Sequence, residues 1–381
     1  MGTLAWELTS DQVTHHGSGM GQKEGTNNTF TINMPVPSTF IPPGAGSAIT
    51  LANTILVAIP TNSAQVGGTY SAAQNGDAMT ELPNAVFRWA NNTHRTTVWY
   101  RTNPDKGSSV SLNMGTQSGY NFNSALLQAG YFSNVDQTNP FSVISQGERV
   151  MHQRHRYSKH NFMYQPVPTQ IGDLILVCAQ GEYDQMWNIR NRGAHTICGV
   201  ANHNDTDYHV NSGMFWYITP SSYEEHMLVE GHNAYQGHTS GSSSSVYAYK
   251  CFSVMNLQSP RTMTTLFTVP SGAVIKLNNV YIEDPEVSGM HVSLQVDGLP
   301  TGTTGILNAS GTKIINSEGT IATTNICRFT KARSREPRSV LEKPIYMVEG
   351  DVLKAKAVCD EAYPEYEGRK VKVVVNFEVI K

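Results

Sequence analysis

The chain repeats itself about every 120 residues, in segments that favour strands. Ile55-Leu56-Val57-Ala58 returns as Ile175-Leu176-Val177-Cys178, and Trp99-Tyr100 returns as Trp216-Tyr217. Tyr131-Phe132 is echoed by Cys251-Phe252, and Asn139-Pro140 by Ser259-Pro260. Four short matches in one order, at offsets of 117 to 120, point to a duplicated set of strands. No helical period of apolar residues runs longer than a turn or two, so the duplicated unit must bury its apolar residues by pairing strands. Chains of this kind serve as scaffolds, binders or shells.

The strand signals fall into three stretches. Residues 1–50 are rich in glycine and proline, with one alternating run at Thr29–Met34, and read as an extended N-terminal arm held by neighbouring subunits, with an arm folded over its own domain as the alternative. Residues 51–260 carry the repeats, over about 51–141 and 172–260. Leu51–Ile59 is an apolar run of strand length ended by Pro60, as a buried strand would be. Each copy supplies four or five strands. The expected fold is all-β: a duplicated jelly-roll-like antiparallel β-sandwich, with two separate small sandwiches as the alternative. A smaller C-terminal β-sandwich follows over 261–381, closed by the strand run Val371–Ile380. Composition marks that boundary, because residues 260–381 hold 15 of the 27 Lys and Arg and 14 of the 30 Asp and Glu.

Low charge runs through the rest. Charged residues make up 15% of the chain and the formal charge is −3, against about 25% charged in an ordinary soluble domain. Such a balance gives no general case for nucleic acid or an anionic membrane. It is what a protein packed against copies of itself tolerates. The first residues lack the basic and apolar regions of a signal peptide, and no apolar run approaches the ~20 residues that span a bilayer. The five cysteines, an odd number with no CxxC pair, read as reduced and structural.

The order of markers in the first copy resembles a β-sandwich domain that recurs in virion proteins of tailed bacteriophages and in some bacterial surface proteins. The markers are Ile55–Ile59, Ala78-Met79-Thr80, Thr97–Tyr100 leading to Asn103-Pro104, Asn134–Phe141 and Gly172–Val177. The C-terminal stretch, with Phe267–Gly272, Leu341–Leu353 and Val375–Val379, looks like another small phage structural module. The resemblance implies a virion structural protein assembled in the host bacterial cytoplasm: a capsid decoration, collar, tail or fibre component. Its implied partners are other virion proteins and copies of itself, and it carries over no catalytic residue. A receptor-binding tail protein or adhesin recognising host surface glycans is the alternative.

Candidate contact residues come in two groups. Arg149, Arg154, Arg156 and Lys159, interleaved with histidine and tyrosine, form a basic segment, and Arg333, Arg335 and Arg338 form a second. Such segments can pair with carboxylates of a neighbouring subunit, guard a strand edge or track a phosphate backbone, and subunit docking is the reading adopted. Trp99, Tyr100, Trp216 and Tyr217 sit at repeat-equivalent strand positions and are expected mainly in the core. One of each pair must face outward, where it could meet a subunit or stack on a sugar.

Enzyme and metal signatures are weak. His203, Asp205, Asp207 and His209 could share a strand face, yet no accepted zinc or calcium spacing accompanies them and a polar loop is the preferred reading. Gly237-His-Thr-Ser240-Gly241 places its serine one position late for a nucleophile elbow. No catalytic activity, cofactor or metal is expected.

Overall fold

The computed structural model describes residues 1–24, 29–34, 53–63, 71–83, 87–89, 94–105, 108–113, 124–152, 161–168, 172–182, 185–189, 195–204, 209–218, 224–233, 247–260, 262–283, 290–297, 324–328, 344–359 and 368–381. Every regular element among these residues is a β-strand, and every strand ladder is antiparallel. The chain divides into two units, Val13–Ser259 and Met1–Gln12 together with Pro260–Lys381. It therefore passes between them twice.

Strand β1 (Gly2–Thr9) belongs to the split unit and is taken up below. The continuous unit opens with β2 (Thr14–Glu24), β3 (Thr29–Met34), β4 (Ile55–Ser63), β5 (Ser71–Gln74), β6 (Asp77–Ala78) and β7 (Thr80–Glu81). It continues with β8 (Phe87–Trp89), β9 (His94–Thr96), β10 (Trp99–Thr102), β11 (Ser108–Asn113) and β12 (Ser124–Ser133). These form two sheets, β2-β12-β4-β10-β7 and β3-β11-β5-β6, with β8 and β9 attached beside β4. The second copy follows: β13 (Phe141–His152), β14 (Asn161–Pro168), β15 (Leu174–Glu182), β16 (Gln185–Ile189), β17 (His195–Asn204), β18 (His209–Ile218), β19 (Glu224–Asn233) and β20 (Tyr247–Leu257). Its sheets are β13-β20-β15-β18-β17 and β14-β19-β16.

The two copies share the order of the first four strands in their larger sheets. In each copy the first strand pairs with the last, the last with the third, and the third with the strand that carries the Trp-Tyr pair. That winding is the jelly-roll order, with each copy forming its own pair of sheets. Between the first pair of sheets lie Ile32, Met34, Leu56, Ala58, Ala72, Val110, Leu127, Ala129 and Tyr131, all buried.

The long apolar runs have a physical cause. Leu56 and Ala58 face the core of the first sandwich. Their neighbours Ile55, Val57 and Ile59 point to the opposite side of β4 and are no more than 1% exposed. On β12, Phe132 is likewise fully buried beside Tyr131. The second copy covers that outer face, with β17 meeting β2 and β12, and β18 meeting β12 and β4. A sheet buried on both faces loses the alternation of a half-solvated strand, so its strands read as unbroken apolar segments.

The split unit contains β1 and β21 (Thr264–Thr268), β22 (Val274–Glu283), β23 (Met290–Asp297), β24 (Thr324–Arg328), β25 (Ile345–Val348), β26 (Val352–Cys359) and β27 (Lys370–Val379). Its sheets are β1-β27-β22-β25 and β21-β26-β23-β24. Leu277, Val280, Val292, Leu294, Leu353, Val373 and Val375 fill the space between them. Trp6 stacks on Phe267 at 6.0 Å. Phe377 reaches across to Gly2, where a Cβ would stand 2.6 Å from the ring.

The N-terminal segment differs from the expected arm. Gly2–Thr9 pairs along its whole length with β27, Thr14–Glu24 with β12 and Thr29–Met34 with β11. Glycine hid the middle strand. Gly17, Gly19 and Gly21 oppose Tyr131, Ala129 and Leu127, the positions where an apolar alternation would have revealed an inward face. Residues 35–50 lie outside the described residues.

Candidate functional site

The first sandwich presents a sheet face with an unusual chemistry. On β3, Ile32 and Met34 point inward and are buried, so Thr31 and Asn33 point outward and are exposed. On β11, Val110 is buried while Ser109, Ser111 and Asn113 are on the outer side. On β5, Ala72 and Gln74 are buried, leaving Ser71 and Ala73 outward. Register joins them into rows: Thr31, Ser111, Ala73 and Ala78 across all four strands, Asn33 with Ser109, and Asn113 with Ser71.

These eight positions hold no charged side chain and no side chain longer than asparagine. Charged residues take about 25–35% of a typical soluble surface, so two or three charges would ordinarily fall here. Ser, Thr, Asn and Ala lose little rotamer freedom on burial, far less than Lys or Glu. No charge must be stripped of water either. Such a face can be covered at low cost. Neighbouring strands stand about 4.8 Å apart, so the hydroxyl and amide groups recur at that spacing across the sheet.

A polar cluster behind this sheet fixes its edge hairpin. Asn75 and Gly76 turn the chain between β5 and β6 with φ of 52° and 90°, the left-handed pair that a two-residue hairpin turn requires. Buried Gln74 exchanges two bonds with the backbone of Asp105, its Nε2 donating to the carbonyl at 2.9 Å and its Oε1 accepting from the amide at 3.2 Å. Arg101 donates to the carbonyl of Gln74 at 3.0 Å and to the Asp77 carboxylate at 2.8 Å. Every member has a partner in the fold, so the cluster stiffens the face and offers no open ligand position.

The candidate residues from the sequence are placed as follows. Trp99 is buried in the first sandwich core, where its indole Nε1 donates to Thr97 Oγ1 at 2.9 Å. Tyr100 points to the other side of β10 and meets the Phe141 ring edge-on at 5.2 Å; it is half-buried. Trp216 and Tyr217 stand on β18 opposite Leu176 and Ile175. Arg149 lies on β13 opposite Lys250. Arg154, Arg156, Lys159, Arg333, Arg335 and Arg338 lie outside the described residues, as do Asp205 and Asp207. His203 and His209 are in β17 and β18. Among the described residues no three His, Cys, Asp or Glu side chains are grouped to hold a metal ion, and no helix is long and apolar enough to cross a membrane.

Comparison with known proteins adds little to this geometry. No protein-family model matches the chain. No curated protein matches it either. A solved structure from an archaeal virus, described as "The Triple Jelly Roll Fold and Turret Assembly in an Archaeal Virus", aligns over 93% of this chain and 90% of its own. The identity is 8% and the TM-score 0.19, too loose a superposition to transfer fold or role.

The uncharged face was the feature that sequence reading missed. Its composition was visible as a general excess of Ser, Thr and Asn. Its concentration on one side of one sheet depends on register, because β3, β5 and β11 are far apart in the chain.

Proposed function

We propose that this chain is a non-enzymatic structural protein of a virus particle, held to copies of itself and to other particle proteins through its sheet faces. The uncharged outer face of β3-β11-β5-β6 carries the reading: it is an exposed surface made of residues that are cheap to cover and poor at repelling a neighbour. The tandem jelly-roll order supports it, since jelly rolls recur in viral capsids, although the same fold also serves lectins and cupins. Low overall charge and a central sheet buried on both faces are further support, as they suit a rigid block in a close-packed shell. The sequence resemblance narrows the proposal to a tailed phage, as a decoration, collar or tail component made in the bacterial cytoplasm. The contact would be symmetric if copies of one face meet.

Cryo-EM of the assembled particle tests this directly. Regular copies on the capsid lattice or on a collar or tail ring, with the β3-β11-β5-β6 face covered, are the expected result. Copies confined to a distal tip with that face open to solvent would favour recognition of host glycans. Absence of the protein from particles would overturn the proposal.

A further inference from the structure

The edge of a sheet is a row of backbone groups without partners, and proteins ordinarily guard it with lysine, proline, a bulge or a covering segment. In the split unit β1 is such an edge. It ends the sheet β1-β27-β22-β25, and among the described residues it pairs with no strand but β27. From Gly2 to Thr9 it holds no lysine, arginine or proline, and its ladder to β27 runs without a register shift. Its one charge, Glu7, is already paired with Lys370 of the same sheet at 2.6 Å. The edge strand β2 of the first sandwich differs, since its ladder shifts register at Tyr131/Phe132.

Register decides which backbone groups of β1 face outward. The ladder runs in phase from Gly2 with Phe377 to Thr9 with Lys370. One step further, the Ser10 amide donates to the Arg369 carbonyl at 2.7 Å. Bonded and non-bonded pairs alternate along an antiparallel ladder, so the even residues of β1 turn their backbone groups toward β27. Thr3, Ala5 and Glu7 turn theirs away from it, and all three residues are exposed. Side chains alternate too. Trp6 and Leu8 pack on the core side, and Leu4 shares that side yet is 41% exposed.

We propose that this edge pairs with β1 of a second copy, antiparallel and about a two-fold axis at Ala5. A row of outward amides and carbonyls recognises an extended strand, and this strand is complementary to itself. With Ala5 opposite Ala5 of the second copy, Thr3 and Glu7 stand opposite its Glu7 and Thr3, and the three pairs make about six backbone hydrogen bonds. Leu4 then meets Trp6 of the second copy in the closer, non-bonded pairs, on the side where Leu4 is uncovered. Like charges do not meet, because each Glu7 faces a threonine. The contact is isologous and closes at two copies. It is short beside the roughly 1,200–2,000 Å² of a stable interface, so the pair forms where copies are concentrated. The proposal goes beyond the sheet-face contact above, because it uses a different surface.

Sedimentation of the full-length protein at rising concentration tests it, in a background of Thr31→Lys with Asn33→Lys that blocks the other proposed contact. The expected result is a monomer passing into a dimer. Exchange of the Thr3, Ala5 and Glu7 amides should slow in step, while the Leu4 and Trp6 amides, turned toward β27, stay as they were. Ala5→Pro removes an outward amide, which an edge strand tolerates, and should weaken the dimer by about tenfold or more with little change in melting temperature. Ala5→Lys sets two like charges on the axis and should do the same; it decides alone if the proline variant does not fold. A single-chain mass at every concentration would overturn the proposal, as would a dimer that neither variant weakens. Equal protection of the Thr3, Ala5 and Glu7 amides at every concentration would mean that a segment of the same chain covers the edge, and would overturn it as well.

Discussion

Asn53 and Asp173 are repeat-equivalent residues that solve one problem in two ways. Each precedes the third strand of its jelly roll and must hold the end of the last strand. In the first copy the Val135 amide donates to the Asn53 carbonyl at 2.9 Å, with Asn53 at φ 56°. In the second copy the Ser259 amide uses the Asp173 carboxylate, and Gly172 takes the positive φ, at 87°. Removing that carboxylate strands buried donors on Asn256 and Ser259. Asp173→Ala is therefore expected to cost about 1–3 kcal/mol, read as a lowered denaturation midpoint. Glu349 makes a smaller, pH-dependent clasp. It accepts from Ser271 Oγ at 2.7 Å and from the Gly272 amide at 2.8 Å. The Gly272 amide, then the Ser271 hydroxyl, hold its pKa below the usual glutamate value. Because the folded value is the lower one, the clasp stabilises fully above the ordinary glutamate pKa of about 4.3 and is lost as pH falls through the lowered value. Glu349→Gln should melt below the native protein at neutral pH and alongside it in strong acid.

Among the elements, β4 and β12 report the layering best. A strand with one wet face tolerates truncation there, whereas β4 is buried on both. Ile55→Ala and Leu56→Ala, which empty opposite faces, should each cost about 2–5 kcal/mol in chemical denaturation. A negligible loss from Ile55→Ala would mean that the outer face of β4 is uncovered. The repeats also show why register, and not spacing alone, sets strand pairing. Ile55 pairs with Phe132, but Ile175 pairs with Asn256, a slip of four residues relative to the 120-residue offset. Likewise Trp99 opposes Ala58, and Trp216 opposes Leu176, a slip of two. Both slips are even, the parity that preserves facing in a strand ladder.

For the whole molecule, the proposed contact surface is the uncharged face. Thr31→Lys with Asn33→Lys adds two charges at exposed positions on β3. Stability should stay within about 0.5 kcal/mol of native, while incorporation into particles, or self-association of the purified protein, should fall sharply. Unchanged assembly would move the contact elsewhere, with the basic residues of the Arg149–Lys159 segment the next to vary. Pairing that outcome with thermal melts separates a lost contact from a lost fold.

The sequence by itself determined the class of this protein. Strand-length apolar runs, the 120-residue echo and the want of helical period lead to duplicated antiparallel sheets, because those patterns are local and the side-chain period of a strand is visible in a single segment. The change in charge density after Ser259-Pro260 is equally plain. Tertiary structure alone decided the rest. The N-terminal strands stayed hidden because glycine carries no side chain to betray an inward face. The split unit stayed hidden because β1 finds its partner β27 more than 360 residues away. The uncharged face exists only once β3, β5 and β11 are in register. Each of these rests on long-range pairing, which no local pattern encodes.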